Sequence, residues 1–554
     1  MTSTKVSDSV LLKIGESPIK SSILLFCVSL FFFIGLGHVH LFDWDEINFA
    51  ESAREMIKSG DYLRVQINYS PFWEKPPFFF WLQVGAMKLF GINEFAARFP
   101  NAVFGFIYLI TFYLIGKKHY NGRFGLIWAL LFVASLLPHL YFKSGIIDPV
   151  FNYFIFLSIY FMLRVISVED VNDKIGKFAL LSGVFSGLSV ITKGPVGFLL
   201  LGLTLFVFLI VKRFKNFPSI KHIFLFLLGF GLLISSWLSL EVMQNGFAVL
   251  QQFIQYQVEL FNSPVAGHAQ PFYYHFVVVF FGCFPLSIFA LPQLKRRSDI
   301  EPHDMRVWFI TLFWVVIILF SITTTKIIHY SSMTYAPLSF LAALTLYKYG
   351  IGAIRPSRLL NSIYLIVGLI IGIAIMAVPI IIYNKESLFP LMNDPFAVAS
   401  LKNAVAWSGY EFLIGIFFLA GVVVSYLLLV KQKWERLSMV ITANMGITLL
   451  LVLFFILPKI ESFTQGPNIT FLESIRGEEC YVESYGYKSY AQYYYADQPY
   501  GLKEARKDQK WLLEGEIDKP VYMISKITNT ELDTHPNFTK IRTEGGFSFY
   551  RRTP

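Results

Sequence analysis

The stretch "SPFWEKPPFFFW", Ser70 to Trp81, sets a Glu-Lys pair and two adjacent prolines inside a run of aromatic rings. Pro76 and Pro77 exclude a helix interior there, because each ring removes an N–H and clashes one turn back. Glu74 and Lys75 argue equally against a core strand. The surroundings explain the combination. The chain has 554 residues, 55% of them hydrophobic and only 15% charged, with 58 phenylalanines. A soluble protein would carry about a quarter of its residues charged. Apolar runs recur from about residue 21 to 457, many near the ~20 residues that cross a bilayer as a helix. This pattern specifies an all-α polytopic membrane protein. In that setting the two prolines break the chain at the membrane surface. Phe72, Trp73, Phe78 and Trp81 then suit the headgroup zone.

Thirteen spans are expected, near 21–42, 95–116, 124–142, 147–165, 178–192, 195–211, 220–242, 272–292, 307–325, 331–348, 360–383, 410–430 and 437–457. The first follows Lys5, Lys13 and Lys20 and reads as an uncleaved anchor rather than a signal peptide. With the N-terminus cytoplasmic, every inner loop is basic, for example Lys212, Arg213, Lys215 and Lys221 in one and Lys431, Lys433 and Arg436 in another. The net charge of +10 is explained by these loops and gives no reason to expect nucleic acid. Cys27, Cys283 and Cys480 lie far apart, with no disulfide framework or metal-ligand spacing. Residues 1–458 form the membrane part, with a first outer loop at 43–94. An odd span count leaves 459–554 outside, as a small soluble α/β domain. Its strand-like runs are "ECYVES", "KPVYMIS" and "FSFYRR", around a Tyr-rich helical stretch from Lys488 to Ala496.

The outer side collects the residues a membrane segment avoids. The first loop holds "DWDEINFAESAREMIKSGD" and the opening stretch. Later loops hold Lys143 and "IIDP" with Asp148, "ITKGP" with Lys193, "GHAQPFYYH" with His268, and "TTTKIIHY" with Lys326, His329 and Tyr330. Ionisable groups at membrane depth are costly and mark cavities or pathways. Each also has a structural role to weigh. Asp43 and Glu46 have capping-box spacing for a helix over 46–59, which should lie in the membrane surface. Lys143 and Lys193 could snorkel from span ends. Asp148 before Pro149 fits a helix start, and His268 a plain loop histidine. Their convergence on one face favours a site. Lys75, with Lys326 and Lys193, suits the phosphate of a lipid.

"DE…FAESAREMIKSGD…FWEKPP…W" resembles the first outer loop of integral-membrane glycosyltransferases that use polyprenyl-phosphate sugars, the GT-C group containing the lipid A aminoarabinose transferases and protein O-mannosyltransferases. "IIDP", "ITKGP", "GHAQPFYY" and "TTKIIHY" follow in the family's order. The resemblance implies a GT-C fold of about 13 transmembrane helices with a small C-terminal α/β extracytoplasmic domain, in the inner membrane. It implies catalytic roles for Asp45 and Glu46, and substrate contacts from Lys75, Asp148, Lys193, Lys326 and Tyr330. Glu74 and His268 match positions that bring a divalent metal near the site, although the reaction requires no cofactor. The chain departs from the family at Leu260, where an arginine is common, and at "SPVAG" before His268.

The expected reaction passes a sugar from a polyprenyl phosphate to a hydroxyl of a glycolipid, protein or cell-surface glycan, among membrane lipids. Asp45 acts as general base and the attack inverts the anomeric carbon. "DWD" at 43–45 mimics a nucleotide-sugar Asp-x-Asp, but a monophosphate donor has less need of a bridging metal. A lipid or glycolipid transporter or flippase is the alternative. Such proteins show paired repeats and broken helices at the midplane, whereas here the polar groups lie at loop edges on one side. A ligase using lipid-diphosphate oligosaccharides would carry arginine-rich outer loops, and a scaffold would not require this set of charges.

Overall fold

The computed structural model describes residues 10–167, 174–215, 217–262, 270–294, 304–323 and 325–554. Among them, eight helices are long and apolar enough to cross a bilayer, and two bent helix pairs raise the number to ten. Three shorter apolar helices, Phe78–Phe90, Gly122–Val133 and Val196–Val211, accompany them.

The first expected span is shaped differently from the expectation. Val10–Glu16 and Pro18–Phe33 meet at 110°, and the helix ends at Phe33 rather than near residue 42. Residues 36–40 leave the helix because Arg98 collects their carbonyls, donating to Leu36, Val39 and His40 at 2.7, 2.8 and 2.9 Å. The expected span 272–292 is likewise a pair, Tyr274–Gly282 and Leu286–Leu294, bent by 114°.

Aromatic packing holds the bundle. Trp128 stacks on Phe112 at 4.4 Å, and Phe124, Phe156, Phe309 and Phe340 surround it. Its indole donates to the Ser339 hydroxyl at 2.8 Å, so the one polar atom of this buried side chain is satisfied. Glu94–His119 and Gly122–Val133 cross at Gly116 and Gly125, where a Cβ on Gly116 would lie 2.6 Å from the Gly125 Cα. Without a hydrophobic drive between helices in lipid, such close backbone approach is what association rests on.

The C-terminal segment carries a four-stranded sheet in the order Tyr481–Tyr485, Val521–Lys526, Phe547–Arg552, Thr539–Glu544. The first pair is parallel and the others antiparallel. Side chains alternate as a pleat requires. Tyr522 and Ile524 join the large core shared with the membrane helices, whereas Val521 and Met523 face a second small core with Leu512, Leu532 and Tyr550. Three strands match the expected runs, and the Tyr-rich helix is Ala491–Tyr495. Thr539–Glu544 was not expected. It is an edge strand, exposed nearly throughout and charged at Lys540, Arg542 and Glu544, so it lacks alternation.

Candidate active site

The groups that meet at the site sit at the ends of elements. Asp45 opens the helix Asp45–Ser59. Glu74 and Lys75 follow a small hairpin, Gln66–Ile67 with Ser70–Pro71. Its turn residues Asn68 and Tyr69 both have positive φ, 55° and 54°, as a type I′ turn demands. Pro77 precedes the helix Phe78–Phe90, so the proline pair starts that helix. Asp148 opens Asp148–Ile166 with Pro149 in the first turn. Lys193 closes Ile175–Lys193, which Gly194 ends at φ 101°. His329 and Tyr330 lie on the 3-10 turn Ile328–Thr334.

These residues converge. The His329 imidazole lies 3.6 Å from an Asp45 carboxylate oxygen. Lys193 pairs with Asp148 at 2.6 Å and lies over the Tyr330 ring at 5.8 Å. Lys75 pairs with Glu74 at 2.7 Å. The charges of Lys75 and Lys193 both act on Asp148, which joins the two ion pairs into one chamber. Burial holds the His329 imidazole below its ordinary range despite Asp148 and Asp45, so the ring is neutral near pH 7. Burial, reinforced by Asp148, Glu74 and Asp45, pushes the Tyr330 phenol up to about 12, so it remains a hydrogen-bond donor. Asp45 is about one-third exposed, the open carboxylate of the group.

Glu46 has a different place from its neighbour. It is 5% exposed and accepts from both ends of the Arg98 fork, at 3.0 and 2.8 Å, from the Phe42 N–H at 2.9 Å and from the Gly145 N–H. Burial alone would raise its carboxyl, but Arg98 and these donors hold it below its usual range. No lone pair is left over for substrate, so Glu46 positions the first loop against the turn before Asp148. Asn101 fixes the same turn from the other side, donating to the carbonyls of Ser144 and Ile146 at 2.6 and 2.7 Å. Lys326 is 7% exposed, donates to the Thr323 carbonyl at 2.6 Å and acts electrostatically on His275. Thr323 ends the helix Met305–Ile322, and His275 also feels His329, which sets Lys326 beside the histidine side of the chamber.

Two further expectations are corrected. Asp43 does not cap the helix. The residue before the helix is Trp44, without a side-chain cap bond. Asp43 instead accepts from the Ser489 hydroxyl and, at 3.4 Å, from the Tyr490 N–H. The helix Asp45–Ser59 is also not an interfacial helix with its polar face in water, since both of its faces are buried in the protein. Glu51, Arg54 and Glu55 are all buried, because Arg54 donates to Asp497 at 2.9 Å and to the Gln498 carbonyl at 3.2 Å.

His268 lies outside the described residues. Among those described, no group of three or more His, Cys, Asp or Glu is arranged to hold a metal ion. Glu74, the other residue considered for a metal, is engaged with Lys75.

Sequence reading missed Arg98 and gave His329 no role. Arg98 carried a signal: a cation inside an apolar run needs a partner. His329 adjoins Tyr330, but nothing local aims it at a residue 284 positions earlier, as the numbering shows. The contacts from Ser489, Tyr490 and Asp497 carried no sequence signal.

Comparison with known proteins agrees with this architecture. The family profile described as dolichyl-phosphate-mannose-protein mannosyltransferase matches residues 74–239. An undecaprenyl phosphate-alpha-4-amino-4-deoxy-L-arabinose arabinosyl transferase of Wigglesworthia glossinidia brevipalpis is 25% identical over 436 residues, 74% of this chain and 76% of the relative. An uncharacterised protein of Aquifex aeolicus is 26% identical over 414 residues, 74% of this chain and 79% of that protein. The crystal structure of ArnT from Cupriavidus metallidurans bound to undecaprenyl phosphate superposes with a TM-score of 0.76 at 18% identity, covering 97% of this chain and 98% of that one. The chain thus shares its fold with ArnT and is similar in sequence to proteins named as transferases of polyprenyl-phosphate sugars. Within that class, the similarity over most of the chain is to the aminoarabinose transferases.

Proposed function

We propose that the chain transfers a sugar from a polyprenyl-phosphate donor to an acceptor hydroxyl at the extracytoplasmic face of the inner membrane. The observation that carries this reading is the chamber itself: an open carboxylate, Asp45, beside a neutral histidine, facing two lysines held by carboxylates. The similarity to a structure with undecaprenyl phosphate bound supports the donor class.

Asp45 accepts the acceptor's hydroxyl proton as the oxygen attacks the anomeric carbon. That C–O bond forms as the bond to the donor phosphate breaks, and polyprenyl phosphate leaves. One direct displacement inverts the anomeric centre. Lys75 and Lys193 share their charge with the departing phosphate, and the Tyr330 hydroxyl can donate to it. Both lysines carry a carboxylate partner, so their charge is oriented before the donor arrives. No step calls for a metal. The acceptor is a glycolipid, a protein or a cell-surface glycan. The proposed topology has thirteen crossings, among them the two bent pairs and the short helices Gly122–Val133, Val196–Val211 and Tyr335–Gly350, with the N-terminus cytoplasmic. Residues 1–458 are the catalytic membrane part and 459–554 the extracytoplasmic part.

Asp45→Asn tests the assignment. Purified protein in nanodiscs, given radiolabelled undecaprenyl-phosphate sugars and candidate acceptors, is expected to transfer label. The variant should lose about 100-fold or more of that rate, the usual worth of a positioned general base. Normal turnover by a folded Asp45→Asn protein would remove Asp45 as the base.

A further inference from the structure

A second cavity, of about 270 Å³, opens in the C-terminal segment. Its walls include Tyr487, Tyr490, Tyr493, Lys488, Arg506 and Lys507. The balance of charge is positive. Lys488 lies over the rings of Trp44 and Tyr490, at 4.9 and 5.5 Å, and among the described residues has no carboxylate partner. Arg506 is 6% exposed and donates to Gln498 at 2.7 Å. Lys507 pairs with the exposed Glu504 and donates to the Tyr69 carbonyl at 3.4 Å. The one carboxylate in the lining, Glu483, is already occupied, accepting from Tyr493 and Gln492 at 2.8 Å and from the Ser484 N–H at 3.0 Å. Aromatic faces pack against the C–H faces of a sugar ring, and cations take an anionic substituent.

The cavity is also joined to the chamber. Tyr490 meets Trp44 edge-on at 5.5 Å, and Asp43 holds both the Ser489 hydroxyl and the Tyr490 N–H. The next residue after Trp44 is Asp45. The Tyr490 phenol feels the charges of both Glu74, from the chamber, and Asp43. Trp44 therefore links the two: it packs on Tyr490 of the cavity wall and precedes Asp45 in the chain.

We propose that this cavity anchors the acceptor by an anionic sugar ring, one bearing a phosphate or a carboxylate, and so delivers its reactive hydroxyl to Asp45. The proposal rests on reading the chamber as the transferase site.

Ligand-observed NMR titrations of the full chain in nanodiscs test it, with glucose 1-phosphate, glucuronic acid, methyl glucoside and inorganic phosphate as probes. Both anionic sugars are expected to bind about tenfold more tightly than methyl glucoside or inorganic phosphate, since they alone combine ring packing with a charge-assisted bond. Lys488→Glu should weaken both about tenfold, and Lys507→Gln about threefold. Where Lys488→Glu does not fold, Lys488→Gln decides in its place. Methyl glucoside binding equal to the anionic sugars, or inorganic phosphate equal to glucose 1-phosphate, overturns the proposal. So does undiminished binding in both lysine variants. A parallel titration of the unaltered chain with undecaprenyl phosphate separates the two readings. Lipid binding without sugar binding removes the anchoring site alone, whereas sugar binding without lipid binding removes the transferase reading.

Discussion

Asp45 and Glu46 are neighbours in sequence, yet their environments divide the labour. One turn of geometry sends Glu46 into the Arg98 fork and leaves Asp45 open beside His329. A buried carboxylate with four donors is saturated and serves architecture. A carboxylate one-third exposed keeps an oxygen open to the chamber, as the proposed base requires. Lys75 belongs to the same scale. Its charge is shared with Glu74 and felt by His329 and Asp148. Lys75→Ala is expected to raise the donor KM by about tenfold, the size of one charge-assisted hydrogen bond. The donor-lipid dependence of transfer measures it, and an unchanged KM would detach Lys75 from the phosphate.

The helix Asp45–Ser59 is the element that the rest of the site hangs on. It is held at its start through Glu46 and Arg98, and along its polar face by Asp497 and Gln498. Arg98→Met would leave the Glu46 carboxylate buried without its cation, a loss of about 3–5 kcal/mol. A lower unfolding temperature, partly restored by the double variant Glu46→Gln with Arg98→Met, is the expected result. The same face carries a pH dependence. Burial, with Glu51 beside it, raises the Glu55 carboxyl to about 9. Its folded pKa exceeds the unfolded value near 4.5, so the stabilisation is complete below about pH 4.5 and is lost as pH rises toward about 9. Glu55→Gln keeps an acceptor for the Tyr69 N–H, which now bonds Glu55 at 2.8 Å. It should raise the unfolding temperature at pH 8 and flatten its decline between pH 5.5 and 9. A variant whose decline matched the unaltered protein would exclude Glu55 as its source.

Across the whole molecule, the C-terminal segment and the first outer loop form one body. Leu41, Asp43, Arg54 and Tyr69 all bond to residues between 489 and 498. Truncation after Ser474 would uncover Glu51, Arg54 and Glu55 together. Transfer should fall at least about tenfold although no group of the chamber is removed, as expected when positioning is lost. Limited proteolysis should then cut within residues 43–75, where the intact chain resists; equal resistance would show that the loop holds its shape alone. Composition and hydropathy were enough to establish a helical membrane protein, because the bilayer imposes length and polarity on every span. The order of motifs was enough to point to the class and to most residues of the chamber. Turn chemistry placed Asp148 and Lys193 at helix ends, since proline and glycine act locally. The pairing of those charges was not legible. Glu46 with Arg98, Asp45 with His329 and Asp43 with Ser489 join residues tens to hundreds of positions apart, and no local preference encodes such a distance. Only the packed chain decides which carboxylate is satisfied and which stays open, because that depends on what burial brings within hydrogen-bonding reach.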